Sequence, residues 1–195
     1  LDFELAVGPG VLCPRADTEV VAEAAAELLR GVQHPKVLDL CAGTGCLGLG
    51  VQRFCPAAEV TSLEKSPAAF AYLTRNARLP NGLHLTPVQG DLFTYWETLP
   101  EGELDLIVSN PPYFPAASGA ISPDDARAIA RSEVCCTLDD LCACAAYALR
   151  FGGEFFLVHK PERLTDLLCT LRAHRLEPKR IRLVRHHAGA DANLV

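Results

Sequence analysis

Val37-Leu38-Asp39-Leu40-Cys41-Ala42-Gly43-Thr44-Gly45-Cys46-Leu47-Gly48-Leu49 is the stretch whose reading decides the fold. Residues 37–40 form a short apolar run with the look of a buried strand. Ala42 to Gly45 is a tight, glycine-rich turn. Residues 46 to about 54 then read as a helix. Strand, glycine turn and helix in succession form the first unit of a parallel α/β sheet.

The same alternation continues on both sides. Asp17 caps a helix predicted to run to about residue 30, with Gly31 as its stop. Residues 59–64 are a second strand. Pro67 suits the first turn of the following helix, which ends near 80–82. A third strand spans about 83–89 and a fourth 104–109, bounded by Pro111-Pro112. Residues 114–134 read as a long loop. Thr137 caps a helix with Asp139 and Asp140 at its positive end, and Gly152-Gly153 stops it. Residues 155–158 are a fifth strand, Pro161 starts a helix to about 174, and 181–184 are a sixth strand. Residues 193–195 begin a last one. The final two strands have no helix between them and are expected to pair antiparallel. The predicted architecture is one α/β domain with a mostly parallel seven-stranded sheet and helices on both faces. Residues 1–35 form an N-terminal helical segment and 36–195 the core.

Composition agrees with a globular protein. The chain has 195 residues, 49% hydrophobic and 22% charged, which excludes a disordered or collagen-like chain. No apolar run approaches the ~20 residues of a membrane helix; the longest candidate is 141–149. The start is acidic and lacks the basic region of a secretory signal, so a cytoplasmic location is expected. Methionine is absent, so the chain is expected to be trimmed at its start; otherwise missing methionines shorten some spacings by a residue.

The net charge is −6. Residues 159–187 hold eight basic and three acidic residues, a net of +5, which leaves −11 for the remainder. Such a face can engage phosphates or be a solvated helix and edge strand. The nine cysteines form no C-x-x-C pair. They read as small apolar thiols of a reducing compartment, with no metal site.

Ligands of open α/β sheets bind beyond the carboxyl ends of the strands. Gly43-Thr44-Gly45-Cys46-Leu47-Gly48 fits G-x-G-x-x-G, by itself a weak dinucleotide signal. Asp39 changes its meaning, because a carboxylate there opposes a pyrophosphate and suits a cation. Glu64, ending the second strand, can accept two ribose hydroxyls. Asp91, after the third, can accept from an adenine amino group. Each acid alone could be a cap or turn residue; three at successive strand ends point to one ligand.

Residues 37–49, Glu64 and Gly90-Asp91 resemble the cofactor motifs of class I S-adenosylmethionine-dependent methyltransferases. The resemblance implies that Asp39, Cys41, Ala42, Gly43, Thr44, Gly45, Glu64, Lys65, Asp91, Leu92 and Asn110 hold the cofactor. That family has glycine where Cys41 stands.

Ser109-Asn110-Pro111-Pro112-Tyr113 ends the fourth strand. The Asn110 side-chain oxygen and the Pro111 carbonyl can together accept both hydrogens of a planar NH2 group, which aims the nitrogen lone pair. Pro112 stiffens the turn, and Tyr113 offers a face for stacking. The motif is similar to the N-P-P-Y of amino methyltransferases, which act on adenine N6 or glutamine amides. Asn110, Pro111, Pro112 and Tyr113 are the expected catalytic residues.

Residues 130–133 and 152–164 resemble bacterial tRNA adenine-N6 methyltransferases, which modify the adenosine beside the anticodon of valine tRNA. This implies tRNA as substrate, with Tyr113, Arg131, Lys160 and Arg163 near a flipped adenine. Arg131 and Glu133 could equally be a local ion pair. Residues 10–19 instead resemble the P-R-x-x-T-E stretch of release-factor glutamine methyltransferases, which would place Arg15 and Asp17 near the cofactor. A protein amide is therefore the alternative substrate. A dinucleotide enzyme and a non-catalytic RNA-binding relative are opposed by Asp39 and by the intact 110–113 motif respectively. A monomer or homodimer is expected.

Overall fold

The computed structural model describes residues 2–9, 11–14, 17–111, 136–185, 187 and 189–195. Five strands form one sheet: β1 (Lys36–Leu40), β2 (Glu59–Glu64), β3 (Thr86–Gln89), β4 (Leu104–Ser109) and β5 (Leu149–Leu157). Their order is β3-β2-β1-β4-β5, and every neighbouring pair is parallel. The chain lays β1, β2 and β3 outward on one side, then returns to place β4 and β5 on the other. The strand order reverses between β1 and β4, which opens a crevice at their carboxyl ends.

The helices are α1 (Asp17–Glu27), α2 (Cys46–Phe54), α3 (Pro67–Asn76), α4 (Leu92–Tyr95), α5 (Leu138–Ala148) and α6 (Leu164–Ala173). Alternation along the strands builds two cores. Val37, Val60, Leu106 and Val108 pack with Ala22 and Ala25 of α1, Leu49 and Val51 of α2, and Leu73 of α3. Leu38, Leu40, Leu63 and Ile107 face Leu92 of α4 and Leu141, Ala145 and Ala148 of α5. Helices thus cover both faces, the Rossmann-like arrangement expected.

Several boundaries differ from the sequence reading. α1 ends at Glu27, and a turn carries the chain to Gly31 at φ 86°. β3 keeps only Thr86–Gln89, because His84 makes an isolated antiparallel bridge to Arg78 instead. α5 stops at Ala148, ahead of the glycine pair. Gly152 and Gly153 instead lie inside β5, where the register shifts between Leu104 and Leu106 and Phe151 is fully exposed. A 3-10 turn (Pro161–Arg163) precedes α6. The seven-stranded sheet is corrected to five strands among the described residues. Residues 181–184 and 193–195 meet at a lone antiparallel bridge, Val184 to Leu194. Ile181 and Leu183 are exposed, so their alternation has no core to face. Val195 pairs instead with His159 through two backbone hydrogen bonds of 2.8 and 2.9 Å.

Candidate active site

The carboxyl ends of β1, β2, β3 and β4 lie along one rim, and each carries residues singled out in the sequence. Asp39 is 1% exposed. Its Oδ2 accepts from the Gly48 N–H at 3.0 Å and the Ser62 hydroxyl at 3.3 Å. A Cβ at residue 48 would lie 2.9 Å from that oxygen, so glycine lets α2 approach. Burial pushes the Asp39 carboxyl up to about 7, against the pull of these two hydrogen bonds and with the Glu64 charge adding to the rise.

The glycine turn is held from three directions. Glu64 Oε2 accepts from the Gly43 N–H at 2.8 Å, and its Oε1 accepts from the Ser66 N–H at 2.7 Å. Ala42 donates its N–H to the Leu63 carbonyl at 3.0 Å. Thr44 is buried, and its carbonyl accepts from Asn76 Nδ2 at 3.0 Å. Gly45 has φ 80° and a Cβ there would meet Leu73 Cδ1 at 2.6 Å, so only glycine fits. Cys41 has φ 58°, a left-handed conformation. That explains why the related motif carries glycine at this place.

Asp91 caps α4 by accepting from the Phe93 N–H at 3.2 Å, and it pairs with Lys65 Nζ at 2.7 Å. Desolvation acts to raise its carboxyl, but the Lys65 and Phe93 hydrogen bonds outweigh it and hold it below its ordinary value. The Lys65 ammonium also sits 5.8 Å from the Phe93 ring centre. Leu92 is buried.

At the end of β4, the buried Ser109 donates its hydroxyl to the Leu40 carbonyl at 2.8 Å. This ties the start of the Asn-Pro corner to the end of β1. Asn110 is partly buried and Pro111 buried. Pro112, Tyr113 and Arg131 lie outside the described residues, as do Arg15 and Glu133. Lys160 and Arg163 follow the end of β5. Lys160 Nζ donates to the Asn193 carbonyl at 3.3 Å, and Arg163 Nε pairs with Asp166 at 2.7 Å.

Sequence reasoning missed Ser62, Asn76 and Ser109. A polar residue inside an apolar strand was the available signal for Ser62 and Ser109. Asn76 gave none, since it ends a helix where many polar residues would do. The short helix after Asp91 was also missed, although Asp before an apolar residue is a capping pattern.

The site fits S-adenosylmethionine better than a phosphate ligand. The Gly48 N–H, in the first turn of α2, is already taken by a carboxylate. Two acids, Asp39 and Glu64, lie at adjoining strand ends, and the Lys65 ammonium that follows Glu64 is paired with a third, Asp91. A Cβ on Gly43 would have nothing within 4 Å, so open space lies over the turn.

Comparisons with known proteins agree. Residues 9–168 match the family described as methyltransferase small domain. The chain is 38% identical over 167 residues to a release factor glutamine methyltransferase of Deinococcus radiodurans, covering 83% of this chain and 58% of the relative. It is 35% identical over 182 residues to a 4-amino-L-phenylalanine/4-methylamino-L-phenylalanine methyltransferase of Streptomyces pristinaespiralis, covering 88% and 60%. The chain therefore spans about three fifths of the length of these relatives. A crystal structure of a predicted O-methyltransferase from Agrobacterium tumefaciens shares the fold, with a TM-score of 0.64 at 20% identity over 89% of this chain and 76% of the other. The chain belongs to the methyltransferase small domain family, built on the Rossmann-like, S-adenosylmethionine-dependent methyltransferase fold.

Proposed function

We propose that this chain binds S-adenosylmethionine and methylates the side-chain amide of a glutamine in a release-factor-type protein. The observation that carries the reading is the anchoring of the Asn110–Pro111 corner to the end of β1 through Ser109 and Leu40, beside the acids at 39 and 64. The name of the Deinococcus relative supports the substrate, as does the resemblance of residues 10–19. It replaces the expected tRNA adenine. Lys160 and Arg163, invoked for RNA, each donate a hydrogen bond within the chain. A net charge of −6 also disfavours a polyanionic substrate.

The bound donor supplies a methyl group already activated on a sulfonium. Asp39 and Glu64 hold the cationic, hydroxyl-rich ligand. The Asn110 side-chain oxygen and the Pro111 carbonyl accept the two amide hydrogens, which turns the nitrogen toward the methyl. Such positioning, with water excluded, carries most of the rate gain. The nitrogen loses its proton after transfer, when it has become acidic, so no strong base is required at the start.

The test is incubation with labelled donor and either release factor or bulk tRNA, followed by digestion and mass spectrometry. Methylglutamine in the release factor is expected; label in adenine would overturn the substrate assignment. Asn110→Ala is expected to lower turnover by about 100-fold through misplacement of the nitrogen. Donor affinity by calorimetry should stay nearly constant.

A further inference from the structure

Cys41 and Cys136 are 95 residues apart in sequence, yet their sulfurs lie 3.6 Å apart. Cys41 stands at the mouth of the glycine turn and holds a left-handed backbone at φ 58°. A side chain in that conformation is strained, and strain of this kind gathers at functional positions. Cys136 is 3% exposed and packs with Leu38, Leu40 and Ile107. It is followed at once by the capped start of α5, where Asp140 Oδ2 accepts from the Thr137 N–H at 2.9 Å and Thr137 Oγ1 accepts from the Asp140 N–H at 3.2 Å. Among the described residues no third metal-binding side chain joins the pair. Two sulfurs without a third ligand among the described residues suit a disulfide better than a metal.

We propose that Cys41 and Cys136 form a reversible disulfide that loosens the turn's hold on the methyl donor. The oxidant is a small-molecule disulfide of the glutathione class. Cys41, the more accessible, loses its proton and attacks that disulfide, forming a mixed disulfide and releasing one small thiol. Cys136 then loses its proton and attacks the Cys41 sulfur, releasing the second small thiol. Two protein thiols are oxidised by two electrons, the small disulfide is reduced, and the two released thiolates take up the two protons. The contact with Cys136 and burial keep the Cys41 thiol protonated at neutral pH, so the exchange is slow and quickens as pH rises.

Bonding requires the sulfurs to close to about 2.05 Å. That draws Cys41 toward the core under α5 and away from Gly43, whose N–H is held by Glu64 at 2.8 Å. Loosening one charge-assisted hydrogen bond in the turn should weaken donor binding about tenfold. This second step rests on residues 39–45 being the donor site; the disulfide does not.

The full chain is equilibrated with oxidised glutathione, blocked with an alkylating reagent and mapped by mass spectrometry. A cross-linked peptide pair holding Cys41 and Cys136 is expected in the natural chain and in Cys135→Ser, and none in Cys136→Ser. The exposed Cys13 and Cys169 should carry only mixed disulfides. Calorimetry should show donor affinity about tenfold weaker in the oxidised chain, restored by dithiothreitol, and insensitive to oxidation in Cys136→Ser. Absence of the cross-link, or its formation between Cys135 and Cys136, overturns the disulfide. Equal affinity in both states overturns its effect. If the reduced chain binds no donor, the donor-site assignment falls, while the cross-link map still decides the disulfide.

Discussion

Asp39 combines almost complete burial with a carboxyl raised to about 7. In an unfolded chain it would ionise near 3.8. Between those values the folded state holds one proton more than the unfolded state. This contribution to stability is therefore full below about 3.8, falls as pH rises toward 7, and is gone above it. Thermal unfolding across this range should show that slope in the natural chain and lose it in Asp39→Asn. A cationic donor favours the ionised carboxylate, so its affinity should increase as pH rises through 7. A dissociation constant that stays level between pH 6 and 8 would remove Asp39 from the contact. Gly45 makes a second, purely steric case. Gly45→Ala puts a methyl against Leu73 Cδ1 in a left-handed conformation and should cost about 2–4 kcal/mol by chemical denaturation.

α5 shows how an element is secured at one end. Thr137 and Asp140 satisfy one another's backbone N–H groups, a reciprocal capping box. Thr137→Ala should lower stability by about 1 kcal/mol, read from the denaturation midpoint. It should also free the backbone beside Cys136. The sixth predicted strand shows the opposite outcome. Ile181 and Leu183 alternate with Arg180 and Arg182 as a half-buried strand would, but both apolar side chains are more than half exposed. Alternation predicts a strand only where a core face receives one side of it. The glycine pair at 152–153 misled for a related reason: both a helix stop and a bulged strand can use glycine, and local sequence does not separate them.

At the scale of the molecule, the stretch 2–9 is fastened over α2 and α3. Asp2 forms a two-point ion pair with Arg53 at 2.7 and 2.8 Å. The Ala6 N–H and carbonyl both bond to the Asn76 side chain, at 2.8 and 3.0 Å. The same amide reaches the Thr44 carbonyl in the glycine turn. One buried side chain thus links the stretch before α1 to the glycine turn. Asn76→Ala strands three backbone groups and should destabilise the fold by about 2–4 kcal/mol. Donor affinity should fall with it. Unaltered affinity at a temperature where the variant remains folded would separate Asn76 from the turn's alignment.

By itself the sequence determined the β1–turn–α2 unit, the strands at 59–64 and 104–109, the Pro67 helix start and the cationic character of the ligand. Those features depend on side-chain periodicity, backbone conformational preference and the sign of charge within a few residues. Tertiary structure alone decided that Gly48 and Ser62 anchor Asp39, that Ser109 ties the Asn-Pro corner to Leu40, and that Asn76 and Cys136 reach the glycine turn. Gly48 is 9 residues from Asp39, and the others are separated by 23 to 95 residues. Their meeting follows from which faces of the sheet the helices cover, and no local pattern encodes that.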